Sequence, residues 1–329
     1  MECRYIRIWE NVFPNASKSI GDHLEKDGAE GVSPMFKAVA ALAAVVAGLS
    51  VGNADAAGFV TYHLEAPSPT LGHPIPYAVY TPFASPAEGE RWPVVYLLHG
   101  TSGKDGDWFT WGNLGPILDA ALAAGRIPPL VVVAPGMGDS WYVDDPDPGS
   151  YGLVDTAIVK DLIPAIDGSL PTAACRQARA IGGLSMGGAG AVLQAINHPD
   201  TYVAAMSFSG ALHQPIVKGD PRLGWLTGLY SGIFGSPFSV PRFNAANAFN
   251  RMIKLEGLAD RPAFYLTIGD DDFGDLIEAS AKFHDRLREM HVDTTLRVTA
   301  GRHFWDTWQQ AIIPALEWLA PKLDATCRG

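Results

Sequence analysis

The segment Gly183-Leu184-Ser185-Met186-Gly187 carries the sharpest chemical signal in the chain, because it follows an apolar, β-branched run and opens a helical pattern. A serine at a tight strand-to-helix turn, flanked by glycines that avoid collision there, has the layout of a nucleophile: its Oγ points outward, and the first free N–H groups of the helix, starting with Met186, face any oxyanion that forms. The chemistry this suggests is attack of an activated hydroxyl on a carbonyl carbon. Such a serine needs a base, and the base needs an acid to orient it. His303, in Gly301-Arg302-His303-Phe304-Trp305, is the only histidine after the last expected strand and is assigned as the base. The acid is expected in the turn Asp270-Asp271-Asp272, where the residues alone do not choose among the three carboxylates. That cluster fails calcium-loop spacing, since Gly274 falls where a ligand should be, and no metal is expected. A second oxyanion donor is expected from His99-Gly100-Thr101-Ser102-Gly103, where the glycine lets the Thr101 N–H turn back toward Ser185, and His99 reads as structural. Trp108, Trp111, Trp141 and Trp305 are expected near the site as a wall for a ring-shaped substrate, with some of them packed instead, and Asp144, Asp145 and Asp147 read as a solvated turn.

Positioning these residues requires a sheet. Near-continuous apolar runs recur at Pro93–Leu98, Leu130–Ala134, Ala178–Leu184, Ala204–Ser209, Ala263–Ile268 and Asp293–Thr299, which implies strands buried on both faces. Helical patterns lie between them at Leu114–Ala124, Val154–Ile166, Met186–Asn197 and Leu276–Met290. The alternation predicts an α/β fold with a mostly parallel central sheet and helices on both faces, entered through an antiparallel hairpin at Phe59–Leu64 and Pro76–Tyr80. From Ala211 to Arg261 the rhythm breaks into about 50 residues rich in Gly, Pro and aromatics, which reads as a helical insertion capping one end of the sheet.

Ahead of this domain, Lys37, an apolar run from Ala38 to Leu49 and the small residues Ala54-Asp55-Ala56 have the layout of a secretory signal, at residues 35–56. The apolar run would span roughly 18 Å as a helix, short of a bilayer, so it predicts export with cleavage near Ala56 rather than a stable membrane span. Residues 1–34 are polar and aperiodic and are expected to be a non-domain extension, which leaves 57–329 for one domain. Export would let Cys175 and Cys327 pair across an oxidising compartment, with two free thiols as the alternative. The net charge of −11 and pI near 5.2 repel phosphate backbones, which argues against a nucleic-acid partner. Oligomeric state is not readable.

With Leu97-Leu98-His99-Gly100-Thr101, Gly183-Leu184-Ser185-Met186-Gly187-Gly188, Gly269-x-x-Asp272-Phe273 and Gly301-x-His303-x-Trp305-x-x-Trp308 in one chain and in order, the sequence resembles the esterase D-like family. That family groups feruloyl esterases, S-formylglutathione hydrolases, small acyl esterases and the antigen 85 mycolyltransferases, and the resemblance spans about residues 75–320. It implies an α/β-hydrolase fold, no cofactor, Asp272 as the acid, oxyanion donors at Thr101 and Met186, and a cap segment at Gly235-Ser236-Pro237-Phe238. The expected activity is hydrolysis of a small-molecule or glycan-linked carboxylic ester through an acyl-enzyme. Acyl transfer onto a sugar or other alcohol is the runner-up, and a non-catalytic surface binding protein is the alternative from a different class.

Overall fold

The computed structural model describes residues 57–230 and 232–326 of the 329-residue chain. The expected extension 1–34, the signal segment 35–56 and Cys327 lie outside the described residues. An eight-stranded sheet organises the fold, in the order β1 (Phe59–Ala66), β2 (Ile75–Thr81), β4 (Val131–Pro135), β3 (Val94–Leu98), β7 (Arg179–Leu184), β8 (Ala204–Phe208), β9 (Ala263–Gly269), β10 (Thr294–Thr299). β1 and β2 form the antiparallel entry hairpin and β2 also runs antiparallel to β4, whereas every neighbouring pair from β4 to β10 is parallel. The expected α/β architecture, a mostly parallel sheet with helices on both faces, is what the chain adopts.

Parallel strands need crossovers, and the crossover helices cover both faces. Alternation along β3 shows the division: Val94, Tyr96 and Leu98 join one core, while Val95 and Leu97 join the other. The first core takes Val154, Ile158 and Leu162, the buried side of helix α5 (Met186–Asn197), and Leu276, Phe283 and Leu287 of α9 (Gly274–Glu289). The second takes Leu114 and Leu118 of α2 (Leu114–Ala123) and Ile312, Leu316 and Leu319 of α10 (Trp305–Leu319).

Two elements depart from expectation. The helix foreseen over Val154–Ile166 is built as α3 (Val154–Ala157), a π-helical turn (Ile158–Leu162) and α4 (Ile163–Ser169). Pro164 has no N–H to give the preceding turn, and the wider π turn accommodates it. Helix α10 was not anticipated; His303 stands just ahead of a 15-residue helix rather than in a terminal loop.

The insertion after β8 is helical, as expected, with α6 (Leu223–Leu229), α7 (Val240–Ala246) and α8 (Ala248–Arg251) among the described residues. Aromatic edges hold it: Tyr230 meets Phe243 with ring centroids 5.0 Å apart, and Phe234 meets Phe243 at 5.5 Å. It is also clamped electrostatically, which corrects the expectation of a solvated acidic turn. Asp145, in the short ladder of β5 (Asp144–Asp145) and β6 (Gly152–Leu153), is buried and accepts from Arg242 of α7 at 2.6 Å, while Asp147 accepts from the same guanidinium at 2.5 Å. Asp144 and Asp147 stay exposed, so the correction applies to Asp145 alone; Asp144 receives the N–H and hydroxyl of Thr156 in α3. Cys175 is disulfide-bonded. No helix among the described residues is long and apolar enough to cross a membrane.

Candidate active site

Ser185 joins β7 to α5 with φ 54° and ψ −118°, a backbone conformation that L-residues rarely adopt. Its neighbours hold it there: Ser185 N–H donates to the Phe208 carbonyl at 2.9 Å, and its own carbonyl accepts from Ala189 and Ala211. Both flanking glycines are dictated by contact. A Cβ on Gly183 would sit 2.3 Å from the Gly187 carbonyl oxygen, and one on Gly187 would sit 2.5 Å from the carbonyl oxygens of Leu98 and His99. The turn is therefore wedged between β3 and its own helix, and it lifts the serine to the carboxyl edge of the sheet.

Two later loops come to the same edge. After β9, Asp272 turns inward while Asp270 and Asp271 stay exposed. After β10, the chain turns at Gly301 and delivers His303. The His303 Nδ1–H donates to Asp272 Oδ1 at 2.8 Å, and its Nε2 lies 3.0 Å from Ser185 Oγ, hydrogen-bond reach on both sides of one ring. The imidazole is packed in place by Trp308, edge-on with centroids 5.2 Å apart, and by Phe273 at 4.9 Å. Trp308 in turn donates its indole N–H to Ser209 Oγ at 3.0 Å, so α10 braces the imidazole.

Burial alone would raise the Asp272 carboxyl, but hydrogen bonds from His303 and Ser209, the His303 charge and the Phe273 N–H at 2.7 Å outweigh it and hold the group below the usual aspartate value. The carboxylate is thereby kept ionised beside the imidazole. His99, expected to be structural, is buried and lowered by desolvation; it spans Gly100 O and Met137 N with its two ring nitrogens. Met186 is the first residue of α5, so its N–H has no intrahelical acceptor. Thr101 lines both cavities that open onto Ser185, on the loop whose turn is closed by Gly103 N–H to Gly100 O.

Those two cavities divide the space around the serine. An open cleft of about 510 Å³ runs past Ser102, Asp107, Trp111, Phe304 and Trp305. An apolar chamber of about 360 Å³ extends under the insertion between Trp141, Trp225, Leu229, Phe273 and Leu276. The tryptophans expected as a wall separate by burial. Trp111 is 66 % exposed at the rim of the cleft, and Trp305 lines it. Trp141 is buried in the chamber, its ring packed at a 42° tilt against Tyr230 with centroids 4.1 Å apart. Trp108 is only 2 % exposed: the short helix α1 (Asp107–Thr110) turns it inward, its indole N–H donates to Leu98 O at 3.0 Å, and it props Trp305 edge-on at 5.6 Å. It is the floor beneath the wall rather than a free face of it.

Sequence reasoning missed one residue of the chamber. His213, at the start of the insertion, is buried with Nδ1 3.5 Å from Asp275 Oδ2 and its ring edge-on to Trp225 at 5.1 Å. Burial pushes its pKa down to about 4 against the pull of Asp275, which leaves a neutral imidazole at pH 7. No pattern in the sequence marks it, because its role depends on what the insertion packs against. Among the described residues, no group of three or more His, Cys, Asp or Glu is arranged to hold a metal ion.

Comparison with known proteins finds relatives of this chain. Residues 68–319 match the Esterase family, described as "Putative esterase". The chain is similar to an acetyl esterase of Caldicellulosiruptor saccharolyticus, 26 % identical over 247 residues that cover 74 % of this chain and 88 % of that one. It is 32 % identical over 134 residues to an endo-1,4-beta-xylanase/feruloyl esterase of Xylanibacter ruminicola, covering 40 % of this chain but only 18 % of that longer protein. Among solved structures, a ferulic acid esterase superposes with a TM-score of 0.65 at 23 % identity, covering 82 % of this chain and all of the other.

Proposed function

The chain belongs to the Esterase family, and from that premise we propose that it hydrolyses carboxylic esters by two-step acyl transfer through Ser185, His303 and Asp272. The single observation that carries this reading is the one imidazole within 3.0 Å of Ser185 Oγ and 2.8 Å of Asp272 Oδ1. His303 Nε2 takes the Ser185 proton as Oγ attacks the ester carbonyl. Asp272 fixes the tautomer and stabilises the imidazolium, and the amide N–H groups of Met186 and Thr101 receive the oxyanion. His303 then returns the proton to the departing alcohol. Water, deprotonated by the same histidine, cleaves the acyl-enzyme and frees Ser185 and the acid. The substrate is a small-molecule or glycan-linked ester.

We also propose that residues 57–329 form one catalytic domain that is exported after cleavage near Ala56. The charge and apolar layout of residues 35–56 supports this, and a disulfide at Cys175 suits an oxidising compartment. N-terminal sequencing of secreted or periplasmic protein should begin at Ala57.

The decisive test pairs p-nitrophenyl acetate turnover with labelling by a fluorophosphonate and mapping of the adduct. Label on Ser185, with free acetic acid as product, is expected. Absence of both would leave a binding protein. A sugar ester as the main product when a sugar is added would assign transfer in place of hydrolysis.

A further inference from the structure

Beside the apolar chamber lies a second, smaller cavity of about 30 Å³ under the insertion, bordered by Ala248 of α8. The two spaces share three lining residues, Trp141, Ala211 and His213, so they are separated by little more than one layer of side chains. Trp141 is held by its packing against Tyr230, and Ala211 has no side chain beyond Cβ. His213 is the removable part of that wall. Its backbone is tied on both sides, N–H to Ala211 O at 2.9 Å and carbonyl from Asn247 Nδ2 at 2.8 Å, whereas its ring makes one polar contact, the 3.5 Å approach to Asp275.

Building on the esterase reading, we propose that His213 is the end wall of the acyl site and sets the length of acyl chain the protein accepts. The chamber is walled almost entirely by carbon and begins at Ser185, which fits the hydrocarbon of an acyl group. The open cleft has the exposed Ser102 and Trp111 at its rim, the side from which a polar alcohol leaves and water enters. A chain growing from the carbonyl along the chamber meets the imidazole, and beyond it a small cavity lined largely by apolar side chains such as Phe234 and Phe243. Such a void takes up apolar atoms once it is opened.

The test is a series of p-nitrophenyl esters from acetate to decanoate, read as kcat/KM relative to butanoate. His213→Ala should join the two spaces and raise the decanoate-to-butanoate ratio about tenfold or more, since one further accommodated methylene is worth at least roughly that factor. Adding Ala248→Phe should fill the void and bring the ratio back. His213→Trp should thicken the wall and lower the octanoate-to-butanoate ratio, so the idea stays testable if the alanine variant does not fold. A ratio that stays put in both His213 variants, while fluorophosphonate still labels Ser185, would overturn the assignment and leave the esterase reading intact. So would a shift confined to acetate esters of lengthening alcohols, because the chamber would then hold the alcohol. If no ester is turned over and no label is taken up, the esterase reading itself has failed.

Discussion

His303 Nε2 lies 3.0 Å from Ser185 Oγ although 118 residues of chain separate them. That contact is only as useful as the tautomer behind it, because Nε2 accepts the hydroxyl proton only while Nδ1 carries its own toward Asp272. Ser185→Ala and His303→Ala should each lower kcat by at least about 10⁴-fold, and Asp272→Asn by about 10³- to 10⁴-fold through the wrong tautomer. Asp271→Asn, one residue away but exposed, should stay within about twofold. Steady-state kinetics on p-nitrophenyl acetate decides it. An essential Asp271 beside a dispensable Asp272 would reassign the acid.

The same serine depends on a steric fit that kinetics alone would not reveal. Gly187→Ala drives a methyl to 2.5 Å from two carbonyl oxygens of the chain around the end of β3, backbone atoms that cannot swing away. Helix α5 must then back off the sheet, at a cost of about 2–4 kcal/mol. A thermal melt should show the midpoint falling by about 5 °C or more, with fluorophosphonate labelling lost in parallel. A variant with wild-type stability and labelling would mean that the turn has more room than its geometry implies.

Arg242 joins the insertion to the body of the domain through Asp145 and Asp147. Asp145 is buried and its Oδ2 has no hydrogen-bond partner among the described residues, so removing the guanidinium leaves a charge with little compensation. Arg242 is itself about a third exposed, and water will replace part of the loss. Arg242→Ala should therefore cost about 1–2 kcal/mol, and Asp145→Asn in that background should recover part of it. A double-mutant cycle by chemical denaturation measures the coupling. Independent, additive effects would show that the pair does not fasten the insertion.

What could be read from the linear sequence follows how local each signal is. The strands were legible because burial on both faces gives unbroken apolar runs such as Val131–Ala134, and the Ser185 turn because its glycines sit beside it in the chain. Helix α10 was also written there, in Trp308, Ile312, Leu316 and Leu319 at helical spacing, but the His303 motif drew attention to the loop in front of it. Asp272 was singled out from its neighbours by resemblance rather than by the residues, since only tertiary packing decides which of three adjacent carboxylates turns inward. The clamp on Asp145, the burial of Trp108 and the position of His213 depend wholly on where the insertion and α1 land. No periodicity encodes that.

His213 also gives the domain a pH signature that can be separated from catalysis. Its folded pKa, near 4, lies below the value of 6.5 it would have when unfolded, so between those limits the unfolded chain binds a proton that the folded chain refuses. The sign follows: this residue's contribution makes folding less favourable as pH falls from about 6.5 to about 4, and has no further effect outside that window. The full difference is at most about 3–4 kcal/mol, an upper figure because water admitted by local opening would relieve part of it. His213→Phe keeps an aromatic ring between Trp225 and Tyr230 and abolishes the titration. Urea unfolding at pH 4.5 and pH 7.5 should show the wild type losing more stability than the phenylalanine variant over that interval. Equal losses would mean that the imidazole titrates alike in the folded and unfolded chain, with the pull of Asp275 offsetting burial.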